Sequence, residues 1–295
     1  MNIIADIENQ DILRRFIFED LGIRGEWVRL QNSWQTAKAH QSYPPAAEAL
    51  LGQALAAVTL LSATIKFKGS LILQAQGQGP IRTLVAQATQ DRNIRGLVHC
   101  GAEVPVGDLS TQFGEGYIVL TIETEQAEPY QGIAPLVGDN FAQALENYFM
   151  QSEQLPTRLW LFANQTHAAG LFLQQLPSAA PIEDAWEKIT VLGDTVTAEE
   201  MFTLPAEEML YRLFNEDQLR LFAPENVNFV CRCSSAKIEH TLYNLGRDEL
   251  EQILQEQENI EVHCEFCNRH YVFDRVDVER ILLQGLAGTN TTTQH

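Results

Sequence analysis

The stretches 230–234, VCRCS, and 263–268, HCEFCN, decide the organisation of this 295-residue chain. The first contains a Cys-x-Cys pair and the second a Cys-x-x-Cys pair, with 30 residues between the two pairs. Two close pairs of thiolates are the ligand set of one tetrahedral Zn²⁺ ion, and the two sulfurs of each pair are also near enough to oxidise to a disulfide. The spacing therefore predicts a four-cysteine zinc site, with two disulfides as the alternative state of the same residues, which are Cys231, Cys233, Cys264 and Cys267.

Two interpretations of such a zinc site stay open at this point. Most four-cysteine sites only hold a small domain together. The Cys-x-Cys spacing favours a reactive site, because a disulfide between residues two apart is strained and strained disulfides are labile. His263 and His270 flank the second pair and are alternative ligands, although four sulfurs already complete the tetrahedron.

Composition limits the classes of partner that the chain can have. It has 39 acidic and 20 basic residues, a net charge of −19. Phosphate backbones repel such a chain, so a nucleic-acid-binding zinc ribbon is not expected, whereas the charge keeps the protein soluble while it holds an apolar partner. Four of the five cysteines are clustered, unlike the cysteines of a secreted disulfide-rich domain, and residues 1–10 contain no apolar signal segment. We therefore expect a cytoplasmic protein.

The hydrophobic pattern predicts an α+β fold for the N-terminal part of the chain. A helix from Ala46 to about Lys66 is apolar nearly all round, which is typical of a core helix, and its apolar runs are too short to span a membrane. Strands and helices mix around it without a regular βα rhythm, which favours α+β over a doubly wound sheet. The other predicted elements are strands at Ile12–Phe18, Gly25–Leu30, Ser70–Gln76, Ile81–Gln87, Ile94–Val98, Tyr117–Thr124, Gln131–Pro135, Arg158–Ala163 and Gly170–Gln175, and helices at Ser33–His40 and Phe141–Gln151.

A different kind of sequence follows residues 177–181, PSAAP. The stretch from Glu183 to Asn228 carries eleven acids and three bases, yet its predicted helices have apolar faces. Short helices are marginal unless such a face is buried, so we expect this segment to lie on the preceding domain, with a plain helical subdomain as the alternative. The predicted helices are Ile182–Leu192, Ala198–Thr203 and Ala206–Asn215.

The cysteine-containing part is predicted to be a separate small domain. It contains helices at Arg247–Gln257 and Val276–Leu283, and it is too small for a secure core, so metal binding is expected to supply much of its folding energy. We expect four parts in all: an N-terminal core domain of mixed sheet and helix at 1–178, a metastable helical linker at 179–229, a zinc-binding domain at 230–286 and a disordered tail at 287–295.

Several stretches, together with the cysteine motifs, resemble the bacterial thirty-three-kilodalton heat-shock protein family. They are 60–67, LLSATIKF, the turn 76–80, QGQGP, and 148–158, YFMQSEQLPTR, and the resemblance covers essentially the whole chain. Members of that family are ATP-independent chaperone holdases that oxidants switch on. The resemblance implies that the reduced, inactive protein binds one Zn²⁺ per chain through Cys231, Cys233, Cys264 and Cys267.

The resemblance also implies a mechanism. Oxidation would form the Cys231–Cys233 and Cys264–Cys267 disulfides, release zinc, unfold the linker and expose a surface that binds unfolded proteins. The implied partners are unfolded or partly folded client proteins and a second copy of the chain in an oxidised homodimer, without nucleic acid or membrane. Residues 1–178 would then bind clients and dimerise, and 230–286 would act as the redox switch. Nothing carries over to Cys100, whose sequence context favours a small buried apolar role.

Two other function classes are weighed against the chaperone. The chain contains no Walker A loop, no Gly-x-Ser-x-Gly elbow and no His-Glu-x-x-His motif, and a site closed by four cysteines has no open position for catalysis, so no enzyme is expected. The remaining alternative is a constitutive protein-interaction adaptor with a purely structural four-cysteine zinc site.

Overall fold

The chain forms two compact units, Met1–Val230 and Cys231–His295. The structure, a computed structural model, describes residues 11–65, 68–124, 127–177 and 184–288, with side chains to residue 283.

Two six-stranded sheets form the framework of the first unit. Its strands are β1 (Ile12–Phe18), β2 (Ile23–Leu30), β3 (Gly69–Gly77), β4 (Ile81–Thr89), β5 (Asn93–Cys100), β6 (Gly116–Thr124), β7 (Tyr130–Pro135), β8 (Thr157–Ala163), β9 (Ala168–Gln175), β10 (Leu219–Leu221), β11 (Glu225–Asn226) and β12 (Asn228–Phe229). The first sheet has the order β10-β1-β2-β9-β8, with β11 also paired to β1, and the second has the order β12-β5-β4-β3-β6-β7. Among the described strands, β12 is parallel to β5, and the other pairs are antiparallel.

A long apolar helix packs against both sheets. The helices of this unit are α1 (Asn32–Lys38), α2 (Pro45–Thr64), α3 (Leu109–Phe113), α4 (Phe141–Tyr148), which a π-helical turn at Phe149–Glu153 continues, α5 (Ala185–Gly193), α6 (Ala198–Thr203) and α7 (Ala206–Phe214). Helix α2 packs against β2, β8 and β9 of one sheet and β3, β4 and β5 of the other. Contrary to the expectation from its short apolar runs, the helix is long and apolar enough to span a membrane, but 78% of its most apolar window is buried in the protein, as expected of a core helix.

Glycines let α2 approach both sheets closely. A Cβ atom at Gly170 of β9 would lie 2.8 Å from Leu60, and one at Gly96 of β5 would lie 3.0 Å from Leu51. Glycine at these two positions therefore lets the leucine side chains of α2 pack directly on the backbone of the strands.

The second unit combines three helices with one hairpin. Its elements are α8 (Ser235–Leu245), α9 (Arg247–Glu256), β13 (Ile260–His263), β14 (His270–Phe273) and α10 (Arg275–Gly288). Among the side chains described up to residue 283, eight apolar ones form its small buried core: Leu242, Leu250, Leu254, Ile260, Phe273, Val278, Ile281 and Leu282.

The structure has the α+β fold that the sequence predicts, with some differences in its elements. Strand β2 begins at Ile23 rather than at Gly25. Gly25 lies within the strand, at a position where the ring of Phe16 occupies the space that a Cβ atom would need. Helix α10 extends to Gly288, whereas the disordered tail is predicted to begin at residue 287. Residues 289–295 lie outside the described part of the chain. The predicted helix Ile182–Leu192 is observed as Ala185–Gly193, and its first two residues also lie outside that part.

Candidate metal centre

The first cysteine pair lies immediately before α8. Ser234 caps this helix, because its side-chain oxygen accepts a hydrogen bond of 3.3 Å from the Lys237 N–H. Serine at this position satisfies one of the amide groups that the first helical turn leaves unpaired. The cap thus fixes the point at which the extended segment holding Cys231 and Cys233 turns into the helix.

The second cysteine pair lies on the tight turn that joins β13 to β14. The Asn268 N–H donates to the Cys264 carbonyl at 2.7 Å, and the Cys264 N–H donates to the Arg269 carbonyl at 3.0 Å. Asn268 has a φ of +51°, a left-handed conformation that asparagine adopts more readily than most residues. This backbone geometry holds Cys264 and Cys267 on one short loop.

The four sulfur atoms of the two pairs converge. The Cys231 and Cys264 Sγ atoms are 3.5 Å apart, as are the Cys233 and Cys267 Sγ atoms, and all four lie within 4.8 Å of one another. Sulfurs at about 2.3 Å from a tetrahedral zinc ion lie about 3.8 Å apart, whereas a disulfide bond is only about 2.05 Å long. All four cysteines are free and half-buried. The cluster therefore has the donor set and the spacing that a tetrahedral metal ion requires.

The surroundings of the cluster favour one thiolate over the others. Burial opposes the ionisation of the Cys233 thiol. Hydrogen bonds outweigh this effect and lower the pKa of the thiol to about 7, and the largest contribution among them is that of the Tyr271 hydroxyl, which donates to the Cys233 Sγ atom at 3.2 Å. Burial raises the pKa of Cys231, and it raises the pKa of Cys267 to about 12. A divalent cation bound to the sulfurs would supply the positive charge that deprotonates coordinating thiols.

Tyr271 is a residue of this site that the sequence does not predict. It stands four residues after Cys267 on β14, opposite Val262 of β13. The only signal for it in the sequence is an aromatic residue in the strand that follows the cysteine turn. Its hydroxyl reaches Cys233 because the hairpin and the start of α8 lie side by side.

The other candidate residues lie outside the cysteine cluster. His263 and His270 are exposed and form a separate group with Glu261 rather than joining the four sulfurs. Cys100 lies at the end of β5 in the first unit, half-buried against the main core, and burial raises the pKa of its thiol. This position agrees with the apolar role that the sequence favours for Cys100.

Comparison with known proteins agrees with this geometry. The family model for the Hsp33 protein matches residues 11–274. A 33 kDa chaperonin of Nitrosococcus oceani is 56% identical over 289 residues, which cover 98% of this chain and 100% of that protein. A 33 kDa chaperonin of a Shewanella species is 43% identical over 278 residues, covering 94% and 97%. The crystal structure of a 33 kDa chaperonin from Thermotoga maritima, 24% identical, covers 95% of this chain and 100% of its own with a TM-score of 0.85, which shows the shared fold. The chain therefore belongs to the Hsp33 family of chaperones.

Proposed function

We propose that this chaperone is an ATP-independent holdase that oxidation switches on. The observation that carries the proposal is the convergence of four free cysteine sulfurs from two motifs, with 3.5 Å contacts between the motifs. Metal ligation and disulfide formation use the same four sulfurs and exclude each other, so the cluster has two chemical states. Chaperone families, as the name implies, bind other proteins rather than catalyse a reaction.

In the reduced state, Cys231, Cys233, Cys264 and Cys267 are proposed to bind one Zn²⁺ per chain. The ion supplies charge that keeps the thiols ionised, and it cross-links the segment before α8 to the β13–β14 turn. With a core of eight buried apolar side chains, the second unit depends on that cross-link for much of its stability.

Oxidation is proposed to pair the cysteines within each motif, as Cys231–Cys233 and Cys264–Cys267. Each disulfide forms as two thiolates give up two electrons, and one molecule of hydrogen peroxide takes these electrons together with two protons from the solvent and is reduced to two molecules of water. The paired sulfurs no longer act as thiolate ligands, so the metal is released and the second unit loses its cross-link.

The proposed client surface lies under helices α5, α6 and α7. These helices cover the face of the first sheet that is turned away from α2. At the centre of the contact, the ring of Phe214 packs edge-on against Phe18 at 5.1 Å and lies 6.4 Å from Phe16. Strands and helices bury one apolar cluster together: Ile12, Phe16, Phe18, Ile23, Trp27, Leu171, Leu173, Ile189, Met201, Met209, Leu210 and Phe214.

Polar contacts between these helices and the first sheet lie at the edge of the apolar cluster. Arg14 of β1 pairs with Glu207 of α7 at 2.6 Å, and Arg29 of β2 donates to the Leu204 carbonyl at 2.9 Å. Helices of six to nine residues are marginal without a partner surface. Their release would expose apolar side chains for unfolded proteins, while the net charge of −19 keeps the complex soluble.

The parts of the chain take the following proposed roles. Residues 1–178 bind unfolded or partly folded clients and form the homodimer of the oxidised protein, 179–229 are the metastable linker, and 230–286 are the redox switch. The protein acts in the cytoplasm, without nucleic acid or membrane. Cys100 takes no part in the switch.

The experiment follows metal, thiols and activity in one sample of full-length reduced protein. Hydrogen peroxide should release one zinc ion per chain as four thiols disappear, and aggregation of a heat-unfolded client should then be suppressed. Cys100→Ser should behave like the original protein, because it leaves the four-sulfur cluster intact. Cys264→Ser should bind zinc weakly and lose its response to peroxide.

Two results would contradict the proposal. If zinc stays bound while Cys100 oxidises as fast as the other four cysteines, the cluster is not the redox switch. If the reduced, zinc-bound protein already suppresses aggregation as well as the oxidised one does, the chain is a constitutive binding protein with a structural metal site.

A further inference from the structure

A second group of metal-binding side chains lies on the hairpin of the second unit. His263 of β13 and His270 of β14 stand directly opposite each other in the strand register. Glu261 precedes His263 by two residues, and since side chains alternate along a strand, all three lie on the same face of the hairpin. One ligand atom from each of Glu261, His263 and His270 lies within 4.8 Å of the other two.

The distances in this group are already close to those of a metal site. The His270 Nε2 and Glu261 Oε2 atoms are 3.1 Å apart. Ligands that bind a tetrahedral zinc ion through bonds of about 2.0–2.1 Å are separated by about 3.3 Å. The rings of His263 and His270 are stacked, with centroids 4.3 Å apart and an angle of 9° between their planes. A metal ion lies in the plane of each imidazole that binds it, so the two exposed rings would have to rotate out of this stacked arrangement to place all three ligand atoms on one ion.

The chemistry of the group selects a class of ion. Two imidazole nitrogens with one carboxylate oxygen suit borderline divalent ions such as Zn²⁺ and Ni²⁺, and water completes the coordination at an open site. The His270 and Glu261 side chains are 42% and 57% exposed, so an ion and its water molecules have access. Residues 231–295 carry eleven acids and six bases, and this negative charge attracts cations.

We propose that Glu261, His263 and His270 form a second divalent-metal site, separate from the four cysteine sulfurs. The site takes a borderline ion such as Zn²⁺ or Ni²⁺ and uses none of the four cysteine sulfurs as ligands. An ion bound there bridges β13 and β14, the two strands that flank the cysteine turn. By linkage, its binding stabilises the folded hairpin increasingly as the ion concentration rises above the dissociation constant.

The test titrates Ni²⁺ into full-length, reduced protein that already contains one zinc ion per chain. Calorimetry should detect one additional ion per chain, and its paramagnetism should broaden the amide NMR signals of β13 and β14. His263→Ala should weaken nickel binding at least about tenfold, because it removes one of three ligands. His240→Ala is the matched control, since it removes an exposed histidine of α8 in the same unit and should leave the affinity essentially unchanged.

Glu261→Gln separates ligation from folding of the hairpin. Glutamine keeps an oxygen that accepts a hydrogen bond from His270 but lacks the charge, so nickel binding should weaken while the metal-free amide shifts stay in place. The proposal is overturned if no ion beyond zinc binds at millimolar nickel, or if His263→Ala leaves the affinity unchanged. It is also overturned if nickel displaces zinc and shows the intense near-ultraviolet absorption of a thiolate complex.

Discussion

Glu26 shows how a single buried group makes the stability of the first unit depend on pH. The residue lies on β2 and is 3% exposed. Burial raises the pKa of its carboxyl to about 8, although Arg24, Arg15 and Arg92 act in the opposite direction. Within the described part of the chain, its Oε2 atom has no hydrogen-bond partner. At neutral pH the folded protein therefore holds this carboxyl mainly protonated.

The sign of the pH effect follows from the direction of that shift. Because the pKa of Glu26 is higher in the folded state than the ordinary 4.5, the unfolded chain loses this proton first as the pH rises. The contribution of the Glu26 carboxyl to the free energy of unfolding is fully present below about pH 4.5 and is lost as the pH rises towards about 8. Glu26→Gln removes the titratable carboxyl, so the free energy of unfolding should rise at the alkaline end by several kcal/mol, at about 1.4 kcal/mol for each unit by which the pKa is raised, and change little at the acid end.

Urea titrations at the two ends of this range measure the effect. Glu128→Gln is the control, because Glu128 is exposed and its replacement should leave the pH profile unchanged. If Glu26→Gln shows the same pH profile as the original protein, burial of Glu26 does not control the stability in this range.

At the scale of helices and strands, the length of a strand in the first unit determines whether the sequence predicts it. Helix α2 and the nine longer strands of the first unit span enough residues for their period to be read. The strands β10, β11 and β12 have three, two and two residues, which is too short for any alternation to appear. Their positions are set by the sheet edges to which they add.

The cysteine cluster is predictable in its membership but not in its arrangement. Spacing alone identifies the four cysteines, because two close pairs suit one tetrahedral ion. The two sulfur–sulfur contacts of 3.5 Å each join a cysteine of the first pair to a cysteine of the second pair. These contacts depend on how the start of α8 packs against the hairpin. The hydrogen bond from Tyr271 depends on the same packing. Helix α8 is not among the elements predicted from the sequence, although Ile238, Leu242 and Leu245 have the i, i+4, i+7 spacing of an apolar helix face and Ser234 precedes them as a cap.

A substitution in helix α7 tests whether helices α5 to α7 block the proposed client surface on the first sheet. Phe214 is 2% exposed, and replacing a buried phenylalanine with alanine costs about 3–5 kcal/mol. Phe214 lies at the centre of the apolar contact that holds helices α5 to α7 on the sheet, so Phe214→Ala should raise the fraction of reduced molecules in which these helices are released. Faster amide exchange across 185–214 and suppression of client aggregation without oxidant are expected.

The control for this variant lies on the same helix. Tyr211 is 71% exposed, so Tyr211→Ala should leave both amide exchange and activity close to those of the original protein. Amides of β3 and β4 should stay protected in Phe214→Ala, which distinguishes release of the helices from unfolding of the whole unit. If the helices open and client aggregation is not suppressed, the covered sheet face is not the client surface.

At the scale of the whole molecule, the chain returns to both sheets just before the cysteines. Strands β10 and β11 add to the first sheet, and β12 adds to the second. The Val230 N–H also donates to the Ile94 carbonyl of the second sheet at 3.0 Å. Cys231 is the next residue along the chain.

This attachment predicts an order for the two disulfides. Cys264 and Cys267 enclose two residues on a turn and close an ordinary ring, whereas Cys231 and Cys233 enclose a single residue and close a strained one. We expect Cys264–Cys267 to form first and Cys231–Cys233 to follow when warming releases β12. The order is measured by mass spectrometry of trapped disulfides at growth temperature and at heat-shock temperature. In limited proteolysis of the same samples, cleavage within 184–229 should begin only after the second disulfide has formed.

Val230→Pro tests whether the sheet attachment delays the second disulfide. Proline lacks the N–H that donates to Ile94, and one hydrogen bond of about 1 kcal/mol corresponds to about a fivefold change in rate. The variant should therefore form Cys231–Cys233 about fivefold faster at growth temperature, whereas Val230→Ala keeps the N–H and should not. The opposite result would be that the Cys231–Cys233 disulfide forms first while 184–229 still resists protease. The strained ring would then have closed on a backbone that the second sheet still holds, so closure of this pair would not depend on release of the linker.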